Sequence, residues 1–217
     1  MIKANNIHFS YDNLKVLKGL DLHIQKGEFV SIVGASGSGK TTLLQLLGAL
    51  EKTNSGTITI NENQLDTLSD KALSVFRNKQ IGFVFQLHNL LAEFSALENV
   101  CLPAYIGGKS KKEAEEKAIE ILSMLGMQDR LSHKPNELSG GEQQRVAVSR
   151  ALINSPAIIL ADEPSGNLDS KNATDLHHLF LQLNKDLGQT FVIVTHNQEL
   201  ANIAHRKLEI VDGKIIS

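Results

Sequence analysis

The chain has 217 residues, 41% of them hydrophobic, a formal net charge of −2 and a single cysteine. That length and apolar content suffice for one domain with a sizeable core and exclude a disordered chain, and the well-mixed charges exclude nucleic acid or an anionic lipid surface as the direct partner. Cys101 has no mate for an internal disulfide, the first residues lack the apolar stretch of a signal peptide, and the longest apolar runs, such as 157–161, are of strand length; a reducing cytoplasm and no bilayer span are expected.

In chain order, residues 2–11, 16–24 and 56–60 alternate or cluster β-formers, with a turn signal at Lys26-Gly27, and predict a β-rich N-terminal part, antiparallel in character. From residue 27 the order changes. Strand-like runs at 29–33, 81–85, 158–161 and 191–195 alternate with helical stretches, which predicts an α/β fold, a mainly parallel sheet flanked by helices. No strand is expected between 94 and 127. Residues 109–126 read as one amphipathic helix, with Ala114, Ala118, Ile121, Leu122 and Leu125 on one side and Lys112/Glu116 and Glu113/Lys117 spaced as surface pairs. We take roughly 94–153 as a helical subdomain inserted within one domain spanning 1–217. Residues 208–216 predict two short strands around an Asp212-Gly213 turn.

Residues 34–41 read Gly-Ala-Ser-Gly-Ser-Gly-Lys-Thr and fill every fixed position of the phosphate-loop pattern, between a buried strand and a helix continuing from Thr42. Backbone N–H groups of Gly34, Ala35, Ser36, Gly37, Ser38 and Gly39 and the helix N-terminus then converge on one anion. Lys40 bridges the outer phosphates as a point charge, and the Thr41 hydroxyl holds Mg²⁺. Phosphoryl transfer also needs an acidic cluster at another strand end. Asp162 and Glu163 supply it: Asp162 suits a metal contact through water, and Glu163 can point at an attacking water as general base.

Leu138-Ser-Gly-Gly-Glu-Gln-Gln-Arg145 places Ser139, Gly140 and Gly141 just before a run of strong helix formers, a second helix N-terminus able to face an anion. Either Ser139 is only an N-cap, or this end serves a nucleotide held by another copy. Among the remaining candidates, His177 and His178 sit about 100° apart on a predicted helix and read as exposed residues rather than metal ligands. His8, His23, His88, His133 and His205 show no ligand spacing. Cys101 reads as a buried small residue, and Phe83 and Phe85 as core.

Tyr11, the phosphate loop, Gln86 after a strand, the segment from Leu138, Asp162-Glu163, Ser165-Gly-Asn-Leu-Asp169 and His196 after the last core strand follow one another as in a known family. Over essentially its whole length the chain resembles the ATP-binding subunits of ABC transporters, which are P-loop NTPases. The resemblance implies ATP and Mg²⁺ as ligands, with Tyr11 stacked on adenine and Val16 beside it, Thr42 with the loop at the nucleotide, Gln86 near the metal and the attacking water, and His196 at the γ-phosphate. It also implies that Ser139, Gly140 and Gly141 bind the γ-phosphate of ATP on the opposite subunit, in a head-to-tail homodimer that forms on ATP binding with Leu168-Asp169 across the interface.

Within the family, residues 85–91 and 93–100 resemble the branch that includes lipoprotein-releasing, macrolide-export and cell-division ATPases, and are most similar to the lipoprotein-releasing subunit. Ala92, Leu87 and Gln143 depart from that subunit, where proline, an aromatic and arginine are usual. The resemblance implies a peripheral protein at the cytoplasmic face of the inner membrane, hydrolysing ATP for a pair of permease subunits. Macrolide-type efflux, cell division and a permease-free soluble ATPase are the alternatives. Leu90, Leu91 and Phe94 are expected to be exposed and to line a groove for a short permease helix.

Overall fold

The computed structural model describes residues 1–216. Its first half contains β1 (Ile2–Tyr11), β2 (Leu14–Ile24), β3 (Phe29–Val33), α1 (Lys40–Leu47), β4 (Ser55–Ile60), β5 (Asn63–Gln64), α2 (Asp70–Gln80), β6 (Ile81–Phe85) and α3 (Ala96–Ile106). There follow α4 (Lys111–Met124), α5 (Gly140–Leu152), β7 (Ile158–Asp162), α6 (Ser170–Leu187), β8 (Thr190–Val194), α7 (Gln198–Ile203), β9 (Arg206–Val211) and β10 (Lys214–Ile215).

The strands form two sheets. One is antiparallel, in the order β2-β1-β4-β5; the other has the order β10-β9-β3-β8-β7-β6 and is parallel except at β10. Both faces of the second sheet are covered, which is why its central strands are apolar at nearly every position instead of alternating. Val30, Ile32, Ile158, Leu160, Val192 and Val194 point to a core shared with α1 and the antiparallel sheet. Their neighbours Phe29, Ile159, Ala161, Phe191 and Ile193 point the other way, into a core built with α3 to α6. This is the mixed α/β, phosphate-loop type of fold that the alternation of strands and helices predicts.

Between β6 and β7 lie only helices and short turns. Three of those helices start at Ser-x-x-Glu, where the serine hydroxyl accepts the third residue's N–H and that glutamate accepts the serine's N–H: Ser95/Glu98, Ser110/Glu113 and Ser139/Glu142. One expected surface pair is corrected by this. Glu113 is held by Ser110, so Lys117 turns to Glu120 at 2.9 Å, whereas Lys112–Glu116 lies at 3.9 Å as spaced. The buried face of α4 carries Ala114, Ala118, Ile121 and Leu122.

Candidate functional site

Parallel pairing levels the ends of four adjacent strands. Ile32 is registered with Val194, Val194 with Asp162, and Asp162 with Phe85. The residues that follow therefore emerge side by side at the carboxyl edge of the sheet, where open α/β sheets receive ligands: Gly34 after β3, His196 after β8, Glu163 after β7 and Gln86 after β6. A cleft of about 530 Å³, in the range of small-molecule sites, is lined here by Tyr11, Val16, the loop, Thr41, Thr42, Asp162, Glu163 and His196.

The loop is shaped for an anion. Gly39 caps α1 at φ 106, and a Cβ there would lie 2.8 Å from Leu17 Cδ2, so only glycine lets the loop pass under β2 and still feed the helix. No side chain caps α1, and no acid stands in its first turn. Its free N–H groups face the cleft with the positive end of the helix dipole behind them. The Lys40 ammonium donates to the carbonyls of Gly34 at 2.9 Å and Ala35 at 2.8 Å. The Ser38 hydroxyl is buried without a protein partner, on the side of the loop where a Cβ on Gly34 would also meet the Ile210 carbonyl.

Across the cleft, Thr41 Oγ1 lies 3.4 Å from Asp162 Oδ1. Burial pushes the Asp162 carboxyl above its ordinary value and Glu163 adds to this, while the Thr41 hydrogen bond and Lys40 pull it down. A half-buried carboxylate beside a hydroxyl suits a hard cation that takes its remaining ligands from phosphates and water. The described residues contain no cluster of three His, Cys, Asp or Glu side chains able to hold a metal alone. Glu163 has φ 46, a strained backbone for a non-glycine residue. Its Oε2 accepts the backbone N–H of His196 at 3.1 Å and lies 2.9 Å from His196 Nδ1.

The other expected residues are distributed around this centre. Tyr11 is 45% exposed, edge-on to Phe9 and bonded to Gln45 at 3.1 Å, so its ring is free to carry a planar ligand. Gln86 does not line the cleft: its Nε2 donates to Asn167 Oδ1 at 2.9 Å, and Asn167 donates back to the Gln86 carbonyl. Asn167 is a contact that the sequence reading passed over, although it lies within the Ser-Gly-Asn-Leu-Asp segment. Ser139, Gly140 and Gly141 lie outside the cleft at the start of α5. There Ser139 accepts from the N–H of Glu142 and its hydroxyl donates to the same carboxylate, which Arg130 also meets at 2.8 Å.

Three expectations need correction. His177 is 4% exposed and its Nε2 lies 3.1 Å from Ser165 Oγ; it sits on the buried stripe of α6 with Ala173, Phe180 and Asn184, not on the surface. Leu90 packs against the helical core, leaving Leu91 and Phe94 exposed. Phe83 and Phe85 are only half-buried because β6 is the edge strand. Their rings stack 5.6 Å apart and line a cleft of about 310 Å³ with Arg77, Pro103 and Arg150.

Residues 17–166 match the family model described as ABC transporter. The chain is 61% identical over 215 residues to the lipoprotein-releasing system ATP-binding protein LolD of Bacteroides thetaiotaomicron, covering 99% of each chain. It is 50% identical to the protein of that name from Aquifex aeolicus, covering 100% of this chain and 96% of the other. A solved dimeric bacterial ABC transporter cassette superposes with a TM-score of 0.90 at 42% identity, covering 100% of this chain and 97% of the other. A dimeric post-hydrolysis cassette bound to ADP and Pi gives a TM-score of 0.89 at 41% identity, with the same coverage.

Proposed function

This chain belongs to the ABC transporter family, and from that premise we propose that it is the ATP-binding and ATP-hydrolysing subunit of a transporter that releases lipoproteins from the inner membrane. The observation that carries the hydrolytic reading is the common cleft at four levelled strand ends, with the phosphate loop on one side and Glu163 and His196 on the other. The transported class rests on the full-length likeness to lipoprotein-releasing subunits. The intact Glu163–His196 pair speaks against a sensor that only binds nucleotide.

The proposed roles combine this geometry with those that the family resemblance implies. ATP lies with adenine on Tyr11 beside Val16, and its phosphates lie along the N–H groups of Gly34, Ala35, Ser36, Gly37, Ser38 and Gly39 and over Thr41 and Thr42. Lys40 leaves two carbonyls for the outer phosphates, exchanging neutral acceptors for charged ones, which make stronger hydrogen bonds. Thr41 and Asp162 would hold Mg²⁺, with Gln86, now tied to Asn167, as the further residue expected near it; bound there, the ion would supply neutralisation of phosphate charge. Glu163 takes the proton of a water whose oxygen bonds to the γ-phosphorus as the bond to the β,γ-bridging oxygen breaks. His196 steadies Glu163 and donates toward the γ-phosphate.

Ser139, Gly140 and Gly141 complete the site of a second copy in an ATP-sandwiched homodimer. The dimeric form of related cassettes supports that arrangement. No helix among the described residues is long and apolar enough to cross a membrane. In this reading the chain is a peripheral subunit, and the exposed Leu91 and Phe94 and the Phe83/Phe85 cleft are the surfaces offered to permease subunits.

Glu163→Gln keeps size and hydrogen bonding while deleting the base. Turnover is expected to fall about 10²–10⁴-fold, with ATP still bound and an ATP-loaded dimer accumulating on a sizing column. Wild-type turnover in this variant would remove Glu163 from the catalytic role.

A further inference from the structure

We propose that His177 is a positioning residue for ATP hydrolysis: by binding Ser165 it fixes the loop 163–169, which joins the catalytic base to Gln86 and to the Ser139 end of α5. The inference rests on the hydrolytic reading above and deepens it. Both members of the pair are buried, His177 at 4% and Ser165 at 7% exposure, with Nε2 and Oγ 3.1 Å apart.

The loop is a chain of short contacts, each reaching a different part of the site. Gly166 N–H donates to the Glu163 carbonyl at 3.0 Å, and Leu168 N–H to the Ser165 carbonyl at 3.1 Å. Asn167 exchanges two hydrogen bonds with Gln86, and a Cβ on Gly166 would stand 2.8 Å from Gln86 Nε2, so loop and glutamine are in close apposition. At the far end Leu168 reaches within 3.5 Å of the position a Cβ on Gly140 would take, while Asn172 Oδ1 lies 2.4 Å from that on Gly141. Asp169 then caps α6 by accepting from Asn172. The loop begins at Glu163 itself, whose φ of 46 must be held by its surroundings.

His177 lies about two turns below that cap. The stripe it occupies is otherwise apolar down to Asn184, whose amide ties the turns at Gly27 and Gln189. Thus each of the two polar side chains on this face of α6 holds a loop at one end of the helix. An apolar residue at 177 would fill the same stripe without desolvating an imidazole. What the histidine adds is direction, because a satisfied buried hydrogen bond specifies geometry where apolar packing tolerates sliding. Burial pushes the imidazole below its ordinary pKa, and His178 on the same helix acts in the same sense against Glu199 of α7. The ring is therefore held neutral at pH 7, able to donate or accept toward the serine.

The test uses the purified full-length chain, steady-state ATPase assays and nucleotide titration of the monomer. His177→Leu and Ser165→Ala should each lower kcat about 10- to 100-fold by misplacing the loop, while KM for ATP and monomer affinity stay within about twofold. The double variant should be no slower than either single one, since both delete the same bond, and Ser165→Thr, which keeps a hydroxyl, should restore most of the rate. Losses that multiply in the double variant, or wild-type kcat in both single ones, would overturn the proposal. If His177→Leu does not fold, the contrast between Ser165→Ala and Ser165→Thr decides it: equal rates refute a role for the hydroxyl. Glu163→Gln run alongside keeps the two ideas apart, because persistent turnover there would defeat the hydrolytic reading itself.

Discussion

Two helix N-termini in this molecule have glycines at their ends, before α1 and within the first turn of α5, and they are finished in opposite ways. The α1 end has a left-handed glycine as cap, no side-chain cap and no acid in the first turn. The α5 end is closed by a reciprocal Ser139/Glu142 box, with a carboxylate on the dipole and Arg130 on the carboxylate. The first end leaves its N–H groups to water or an incoming anion, so it is open to a ligand in the isolated chain. The second is already satisfied, and a phosphate can use it only by competing for the Ser139 hydroxyl or by approaching the glycine N–H groups beside it. An end that is closed in the free subunit suits a contact that forms late, when a second copy brings its nucleotide to it.

The largest effect should come from spoiling the open end. Lys40→Ala removes the one cation that now rests on the Gly34 and Ala35 carbonyls, and monomer ATP affinity should fall by at least about 100-fold, equivalent to about 2.7 kcal/mol. Equilibrium titration of the purified chain measures this. Wild-type affinity would mean that the open end is not where the nucleotide sits, and the contrast between the two ends would lose its meaning.

Spoiling the closed end should leave binding alone and abolish turnover. Ser139→Arg is expected to keep monomer affinity within about twofold while ATPase activity is lost. Mixing it with Lys40→Ala should rescue activity, because the mixed dimer holds one composite site free of both lesions. At equal amounts half of the dimers are mixed and one site in two is intact, so activity should approach about a quarter of wild type. A Ser139→Arg monomer that no longer binds ATP would put this end on its own chain's nucleotide.

These two ends also mark how far the sequence is legible. The phosphate loop was readable because its residues are fixed one by one by backbone geometry, and the strands around it because burial on both faces makes them continuously apolar. The partners that close the second end were missed in part: Glu142, three residues after Ser139, is a capping signal, but Arg130 reaches it only through the fold. His177 was misread for a related reason. Two adjacent histidines suggest a wet surface, yet 177 is four residues after Ala173 and three before Phe180, both buried, and helical phase alone would have placed it inside. Phe83 does pack against the first core, but Phe85 joins neither core, since only the strand order reveals that β6 is an edge. Roles that would depend on a second chain, such as those proposed for Ser139 and Gly141, have no intramolecular contact to display them.

The smallest expected effect concerns what closes the second end. Glu142 is held below its ordinary value of 4.5 chiefly by the Ser139 N–H, with the Ser139 hydroxyl and Arg130 adding to this and burial opposing it. An acid whose pKa is lowered by folding contributes its stability in full above its unfolded value, and that contribution is lost as pH falls through the folded one. Glu142→Gln should therefore lower stability by about 0.5–1.5 kcal/mol at pH 7, and the gap from wild type should narrow as the pH drops below about 4.5. Thermal melts at the two pH values measure both. The same substitution removes a negative charge from the helix end proposed to meet the partner's phosphate, where a carboxylate opposes an anion. ATP-driven dimerisation should then occur at equal or lower ATP concentration despite the lost stability. If dimerisation weakens instead, the carboxylate itself is part of the composite site, and the second end is a prepared contact rather than a closed one.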